Sequence, residues 1–197
     1  MDIQAALVKE LREKTGVGIM DCKKALAEAD GDIQRAIDYL RKKGIATAKK
    51  RGSRATSEGQ ISSYIHAGGK IGVLVEVNCE TDFSAKTPDF SDFARNMAMQ
   101  VAASVPLSVD REGLPREIVE REKEIYATQA RESGKPEKVI EKMVEGKLKK
   151  FYSEACLLEQ PYVKNPDITV QDLLNELIAK TGENIVIRRF VRFQLGE

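Results

Sequence analysis

The sequence predicts an α+β protein: a three-helix unit at the N-terminus, then a small antiparallel sheet packed with helices and a helical hairpin. Three observations carry this. Apolar residues recur at helical spacing through residues 1–50. Two β-prone runs flank a Gly-rich turn at Ala67-Gly68-Gly69, which is the pattern of a hairpin. A third β-prone run closes the chain at 184–195. With 197 residues, 42% hydrophobic and 32% charged, the chain is long enough to bury a core without disulfides or a structural metal. The expected organisation is a three-helix domain at 1–50, a basic linker at 51–59 and an α+β core at 60–197. Within that core a helical hairpin is expected at about 115–160, and the strand at 184–195 ends it.

The first helix is read from Ile3, Leu7 and Leu11, which share one helical face, and Thr15-Gly16-Val17-Gly18 breaks it. Met20, Ala25, Leu26 and Ala29 mark a second helix. Asp30-Gly31-Asp32 makes a turn in which Asp32 caps a third, carried by Ile33, Ala36, Ile37 and Leu40, with Gly44 as its stop or kink. Residues 46–59 are small, polar and basic. Lys49, Lys50, Arg51 and Arg54 there are open to two readings: contacts to RNA phosphates, or a solvated tether continuing the third helix. The lack of an interleaved aromatic for base stacking favours the tether.

Gln60–His66 and Lys70–Val77 are the hairpin strands, and Asn78-Cys79-Glu80-Thr81-Asp82-Phe83 follows as a connection into a helix. Thr87 is placed to cap that helix and Pro88 sits at its first position. Loops carry function more often than the elements they join, so Phe83 is either tucked into the core or held out for a partner. Phe90, Phe93, Ala94, Met97, Ala98 and Val101 form a regular core stripe. Pro106–Val109 is a short connection or strand. Two charged helices at about 115–133 and 136–159 are separated by Gly134-Lys135-Pro136. Gln160–Pro166 is a loop. Leu173, Leu174, Leu177 and Ile178 mark an amphipathic helix ending at Gly182. In the last strand Ile185, Ile187, Val191 and Phe193 share one parity, and Val186 and Phe190 the other. A strand apolar on both faces needs cover on both, which is the basis for expecting a homodimer.

Composition narrows the function. Lys plus Arg number 32 and Asp plus Glu 31, a balance that argues against a dedicated nucleic-acid binder. No apolar run is long enough to span a membrane. Met1-Asp2-Ile3-Gln4 lacks the basic and apolar regions of a secretory signal, so a cytoplasmic protein is expected. Cys22, Cys79 and Cys156 are widely spaced and His66 is the single histidine, so neither a disulfide framework nor a zinc site is expected. There is no phosphate-binding loop, dinucleotide fingerprint, nucleophile elbow or EF-hand spacing. Glu80 and Asp82 are carboxylates with no recognisable substrate cleft, and a hydrolase built on His66 or Cys79 has little support. A binding or regulatory protein, not an enzyme, with no cofactor and no metal, is the expectation.

Three blocks of the sequence resemble one family. Leu11-Arg-Glu-Lys-Thr-Gly-Val-Gly-Ile-Met-Asp-Cys-Lys-Lys-Ala-Leu-Ala-Glu28 is similar to the N-terminal signature of translation elongation factor Ts. Gly72-Val-Leu-Val-Glu-Val-Asn-Cys-Glu-Thr-Asp-Phe83 is similar to its second signature, and Gly182-Glu-Asn-Ile-Val-Ile-Arg-Arg-Phe190 to its ending. The resemblance implies a guanine-nucleotide exchange factor whose partner is elongation factor Tu. It implies that the N-terminal helices are UBA-like and dock on the partner's GTPase domain, with Ile19, Met20 and Lys23 in the docking part. It also implies that the loop Thr81, Asp82, Phe83, completed by Ser84, reaches the partner's Mg²⁺ site. There Phe83 is the wedge, Asp82 the adjacent polar contact and Thr81 the residue that shapes the turn. The alternative reading is an RNA- or ribosome-associated module using residues 49–54, although no direct contact with nucleic acid is expected.

Two departures stand out. Ser84 occupies a position where the family usually has an apolar residue. The chain is also short, with room for one core, and short members of the family imply a homodimer that supplies the missing half. Some of them have at the position of Val191 a Cys that bridges the subunits. Val191 closes that route, and packing alone would hold such a dimer.

Overall fold

In the computed structural model, residues 4–132 and 136–196 are described; Ile3, Ser133, Gly134 and Lys135, which enter the expectations above, lie outside them. Three helices come first, α1 (Ala5–Thr15), α2 (Ile19–Glu28) and α3 (Ile33–Arg51). Gly16, at φ 66°, ends α1 with its amide on the Arg12 carbonyl, a left-handed cap that a glycine adopts without strain. Asp32 caps α3 by accepting a hydrogen bond from the Arg35 amide at 2.8 Å, as its position before the apolar run predicted. Val8, Leu11, Cys22, Ala25, Leu26, Ala36 and Leu40 form the core of this bundle.

Gly44 does not stop α3, which runs on to Arg51. A Cβ at Gly44 would lie 3.3 Å from the Ala179 Cβ and 3.4 Å from the Asn175 carbonyl, so the glycine permits close packing against α8 (Val170–Thr181). Sequence alone cannot separate a glycine that ends a helix from one that lets a neighbour approach.

The hairpin forms as expected, with β1 (Glu58–Ile65) and β2 (Ile71–Cys79) joined by a turn in which the Gly69 amide bonds to the His66 carbonyl. The terminal strand β5 (Ile185–Gln194) completes a three-stranded sheet of order β1-β2-β5. The Leu195 amide bonds to the Lys70 carbonyl, so the end of the chain lies beside the start of β2 and the two strands run antiparallel. Val73, Val75, Val77 and Cys79 alternate to the buried face of β2.

After β2 comes a single helical turn, α4 (Asp82–Ala85), which the sequence reading treated as a plain connection. Next is α5 (Pro88–Ser104), whose predicted stripe from Phe90 to Val101 is buried. The charged helices are α6 (Arg116–Glu132) and α7 (Glu137–Ala155), with Ala130, Ile140 and Val144 as the centre of their contact. Helix α7 stops four residues earlier than the sequence reading had it, and a 3₁₀ turn (Leu157–Glu159) follows. The loop after it contains a small hairpin, β3 (Pro161–Tyr162) with β4 (Asn165–Thr169), too short to leave a periodic signal. The buried Gln100 side chain fixes this hairpin through the Pro161 carbonyl and the Val163 amide.

The chain gathers into two compact units, each built from several stretches. One comprises Met1–Gln60, Val77–Ala94 and Asp172–Val186; the other comprises Ile61–Glu76, Arg95–Gln171 and Ile187–Glu197. The first holds Ile19, Met20 and Lys23 and the loop Thr81–Ser84. In it Arg41 pairs with Asp172 at 2.9 Å and Lys180 with Asp89 at 2.6 Å. In the second, Arg111 forks onto Glu159 with two bonds of 2.5 and 2.6 Å and stacks over Tyr152. No helix among the described residues is long and apolar enough to cross a membrane.

Candidate functional site

Phe83 is 80% exposed, which settles the choice the sequence left open: the ring is held out and not folded back. What holds it is a set of hydrogen bonds around α4. Thr81, the residue before the helix, accepts from the Ser84 amide on its Oγ1 and so caps the turn. That hydroxyl donates in turn to Glu183 Oε1 at 2.6 Å. The other oxygen of Glu183 accepts both the Glu80 amide at 3.1 Å and the Thr81 amide at 3.0 Å. Glu80 returns the arrangement: its Oε1 accepts the Asn184 amide at 2.6 Å. Asn184 Nδ2 donates to the Arg54 carbonyl at 2.8 Å, and Arg54 reaches Glu80 Oε2 at 3.2 Å.

The local sequence produces this. Gly182, at φ 73°, ends α8 in the left-handed region and turns the chain. Glu183 and Asn184 then arrive beside the end of β2 at the start of β5. The Asn184 amide, and next to it the Arg54 guanidinium, hold the Glu80 carboxyl below its usual range. Asp82 is also held low, by Lys86 one helical turn on at 2.7 Å. Both carboxylates are therefore committed to ion pairs and backbone amides. They do not converge as an acid–base pair.

Ser84 differs from its neighbours. It is only 6% exposed, and its Oγ has no hydrogen-bond partner among the described residues. Cys79 donates to the Thr81 carbonyl at 3.1 Å, and burial, with Glu183 and Glu58 nearby, pushes its thiol up to about 11. A thiol kept protonated at neutral pH is a poor nucleophile. The His66 ring, on an exposed strand end, meets the Tyr64 hydroxyl at 3.0 Å. Among the described residues no group of His, Cys, Asp and Glu could hold a metal ion.

The second predicted group sits on a separate element. Ile19 and Met20 open α2 and are 53% and 76% exposed; Lys23 is exposed one turn later. Ile19 and Lys23 line an open cavity of about 360 Å³ with Ala5, Val8, Lys9 and Arg12, an apolar floor with a cationic rim. In the basic segment Lys49 and Lys50 are exposed at the end of α3, while Arg54 is engaged by Glu80. Sequence reasoning missed Glu183, Asn184 and Arg54 as parts of the site. Two lie about a hundred positions from the loop they hold, and the only signal was that Gly182-Glu183-Asn184 opens the third resembling block.

Phe83 on its braced turn and Ile19 with Met20 at the head of α2 expose apolar side chains, while Glu80 and Asp82 are tied up in structural bonds. Comparison with known proteins gives the family. The family model described as Elongation factor TS matches residues 36–197. The chain is 64% identical over 195 residues to Elongation factor Ts of Moorella thermoacetica, covering 99% of this chain and 96% of that one. It is 62% identical over 195 residues to that of Desulfosudis oleivorans, covering 99% and 98%. The protein of the same name from Desulfotalea psychrophila is 62% identical over 196 residues, with both chains covered in full. The chain belongs to the elongation factor Ts family.

Proposed function

We propose that this protein is a guanine-nucleotide exchange factor for elongation factor Tu, acting through contact alone. The observation that carries the reading is Phe83, a large apolar ring 80% exposed on a turn whose backbone is fixed from a distant part of the chain. An aromatic so placed costs the free protein solvation and contributes nothing to its core; it gains only when a partner covers it. In this reading Phe83 enters the partner beside its Mg²⁺ with Asp82 as the flanking polar group. Mg²⁺ demands near-ideal octahedral geometry, so a small displacement of its surroundings weakens nucleotide binding. Factor and nucleotide then oppose one another with a coupling that must be reciprocal, and incoming GTP expels the factor. The N-terminal helices, read as UBA-like, dock through Ile19, Met20 and Lys23, whose cationic rim suits an acidic partner surface.

Release of a fluorescent GDP analogue from elongation factor Tu tests this, with the wild type and with Phe83→Ala. Acceleration by the wild type and a loss of about tenfold or more in the variant is expected, the penalty of removing a central aromatic anchor. Equal acceleration by both would remove Phe83 from the mechanism, and none by either would remove the function. A steep fall of activity with salt would point instead to phosphate contacts by the 49–54 segment.

The homodimer reading rests on the sheet. Ile61, Leu74, Val191 and Phe193 are all exposed, and a shallow cavity of about 230 Å³ lies among Ile61, Leu74, Phe190 and Val191. Ile185 and Ile187 are buried while Val191 and Phe193, of the same parity, are not. The two successive exposed residues Arg188 and Arg189 mark where the alternation breaks. A contiguous apolar face of this kind on a soluble protein is covered by a partner, here a second copy. Light scattering at micromolar concentration should give twice the chain mass and the Phe193→Glu variant a single chain mass; a monomeric wild type would refute it.

A further inference from the structure

We propose that Glu183 is the positioning residue of the exchange loop, holding Phe83 in the orientation that engages the partner; this rests on the exchange reading above. Phe83 makes too little contact of its own to fix its direction, so its aim is set by the backbone of α4. That helix is one turn of four residues, far below the length at which a helix is stable alone. Its start must therefore be held from outside, and three of the bonds that hold it end on one carboxylate. Glu183 takes the Glu80 amide, the Thr81 amide and the Thr81 hydroxyl, and the hydroxyl it fixes is the one that caps α4. The reciprocal bond from the Asn184 amide to Glu80 fixes the position of Glu183 itself. The amides of residues 80 and 81 lie where β2 has ended and α4 has not begun, so neither ladder nor helix satisfies them. A carboxylate with two acceptor oxygens can take all three donors. A carboxamide of the same shape holds them less tightly: it carries no charge, and its amino group makes the Thr81 hydroxyl accept where it had donated, beside the Ser84 amide it already accepts.

Loss of the brace leaves the turn sampling other arrangements, and the apparent affinity for the partner falls with the fraction that stays competent. For Glu183→Gln, half-maximal stimulation of GDP-analogue release should require about tenfold more factor, the scale of losing charge-assisted bonds. The rate at saturating factor should change far less. The decisive comparison is a cycle with Phe83→Ala. If Glu183 acts through the loop, Glu183→Gln adds less than about twofold in that background. An equal tenfold penalty in both backgrounds would overturn the proposal and make Glu183 a direct partner contact. Hydrogen exchange in the free protein supplies a readout independent of the partner. The Glu80 and Thr81 amides should lose protection in Glu183→Gln while amides in the middle of α5 keep theirs. Unchanged protection at residues 80 and 81 overturns the brace even if exchange is active. No stimulation by the wild type overturns the exchange reading and this role with it, whatever the amides show.

Discussion

Replacing Ser84 by alanine should make this protein more stable. The Ser84 hydroxyl is buried, 6% of the residue being exposed, and has no hydrogen-bond partner among the described residues. A buried hydroxyl left unpaired costs about 1–3 kcal/mol in lost hydration. Alanine removes that cost and adds a few tenths of a kcal/mol, roughly, in helix propensity. Against these stands the small void where the oxygen was. The backbone of residue 84 keeps its role, since its amide still reaches Thr81 Oγ1 and its carbonyl still accepts from Thr87 Oγ1. The net expectation is a gain of about 1 kcal/mol, which for a chain of this size raises Tm by about 2–4 °C. Calorimetry on both proteins at equal concentration reads it directly. GDP-analogue release should stay within about twofold of wild type, because Phe83 and its brace are untouched. A Tm lowered by more than about 2 °C would refute the reasoning, since it would mean that the hydroxyl makes a bond worth keeping. Ser84→Val should have the opposite sign: a methyl takes the place of the hydroxyl and a second is added beside it, and overpacking a buried position costs about 1–3 kcal/mol.

Gly59→Ala should destabilise the protein by roughly 3 kcal/mol or more, because at φ 152° a Cβ would press into the Val77 carbonyl and sit 2.7 Å from the Asn78 Cα. Urea unfolding measures this, and an unchanged midpoint would show that β1 does not approach β2 so closely. All three cysteines are buried, so native protein at about pH 8 should react with no equivalents of a thiol reagent and denatured protein with three. One fast native equivalent would contradict the burial of Cys22, Cys79 or Cys156. The Glu80 carboxyl is held below its ordinary 4.5, so its bonds to Asn184 and Arg54 stabilise the fold above that value and are lost as pH falls through the lower folded one. Urea midpoints should therefore drop more steeply below about pH 5 in the wild type than in Glu80→Gln. Parallel curves would exclude Glu80 from the acid response.

Much of the fold was legible in the chain. The period of Ile33, Ala36, Ile37 and Leu40, the cap at Asp32 and the start at Thr87-Pro88 are local signals, and the helices form where those signals lie. The Gly-rich turn likewise placed the hairpin. The misreadings have non-local causes. Gly44 was read as an interruption because the residues it accommodates, Asn175 and Ala179, are more than 130 positions away. The sequence showed β5 apolar on both parities but not where burial ends along it, because nothing local marks the change at Arg188 and Arg189. Helix α4 and the hairpin of β3 and β4 are too short for a pattern to repeat more than once or twice.

The site divides the same way. By itself the sequence determined the candidates: an aromatic after a strand end, Ile19 and Met20 at the head of a helix, and blocks that resemble one family. Only the tertiary structure decided that Phe83 faces solvent while its neighbour Ser84 faces inward, and that Glu80 is held by Asn184 and Arg54. It also decided that Glu183 accepts from the Glu80 and Thr81 amides and the Thr81 hydroxyl. The reason is physical. Periodicity and capping report interactions between residues three or four apart, which the sequence displays. A carboxylate satisfying amides a hundred residues away leaves no trace until the chain closes on itself.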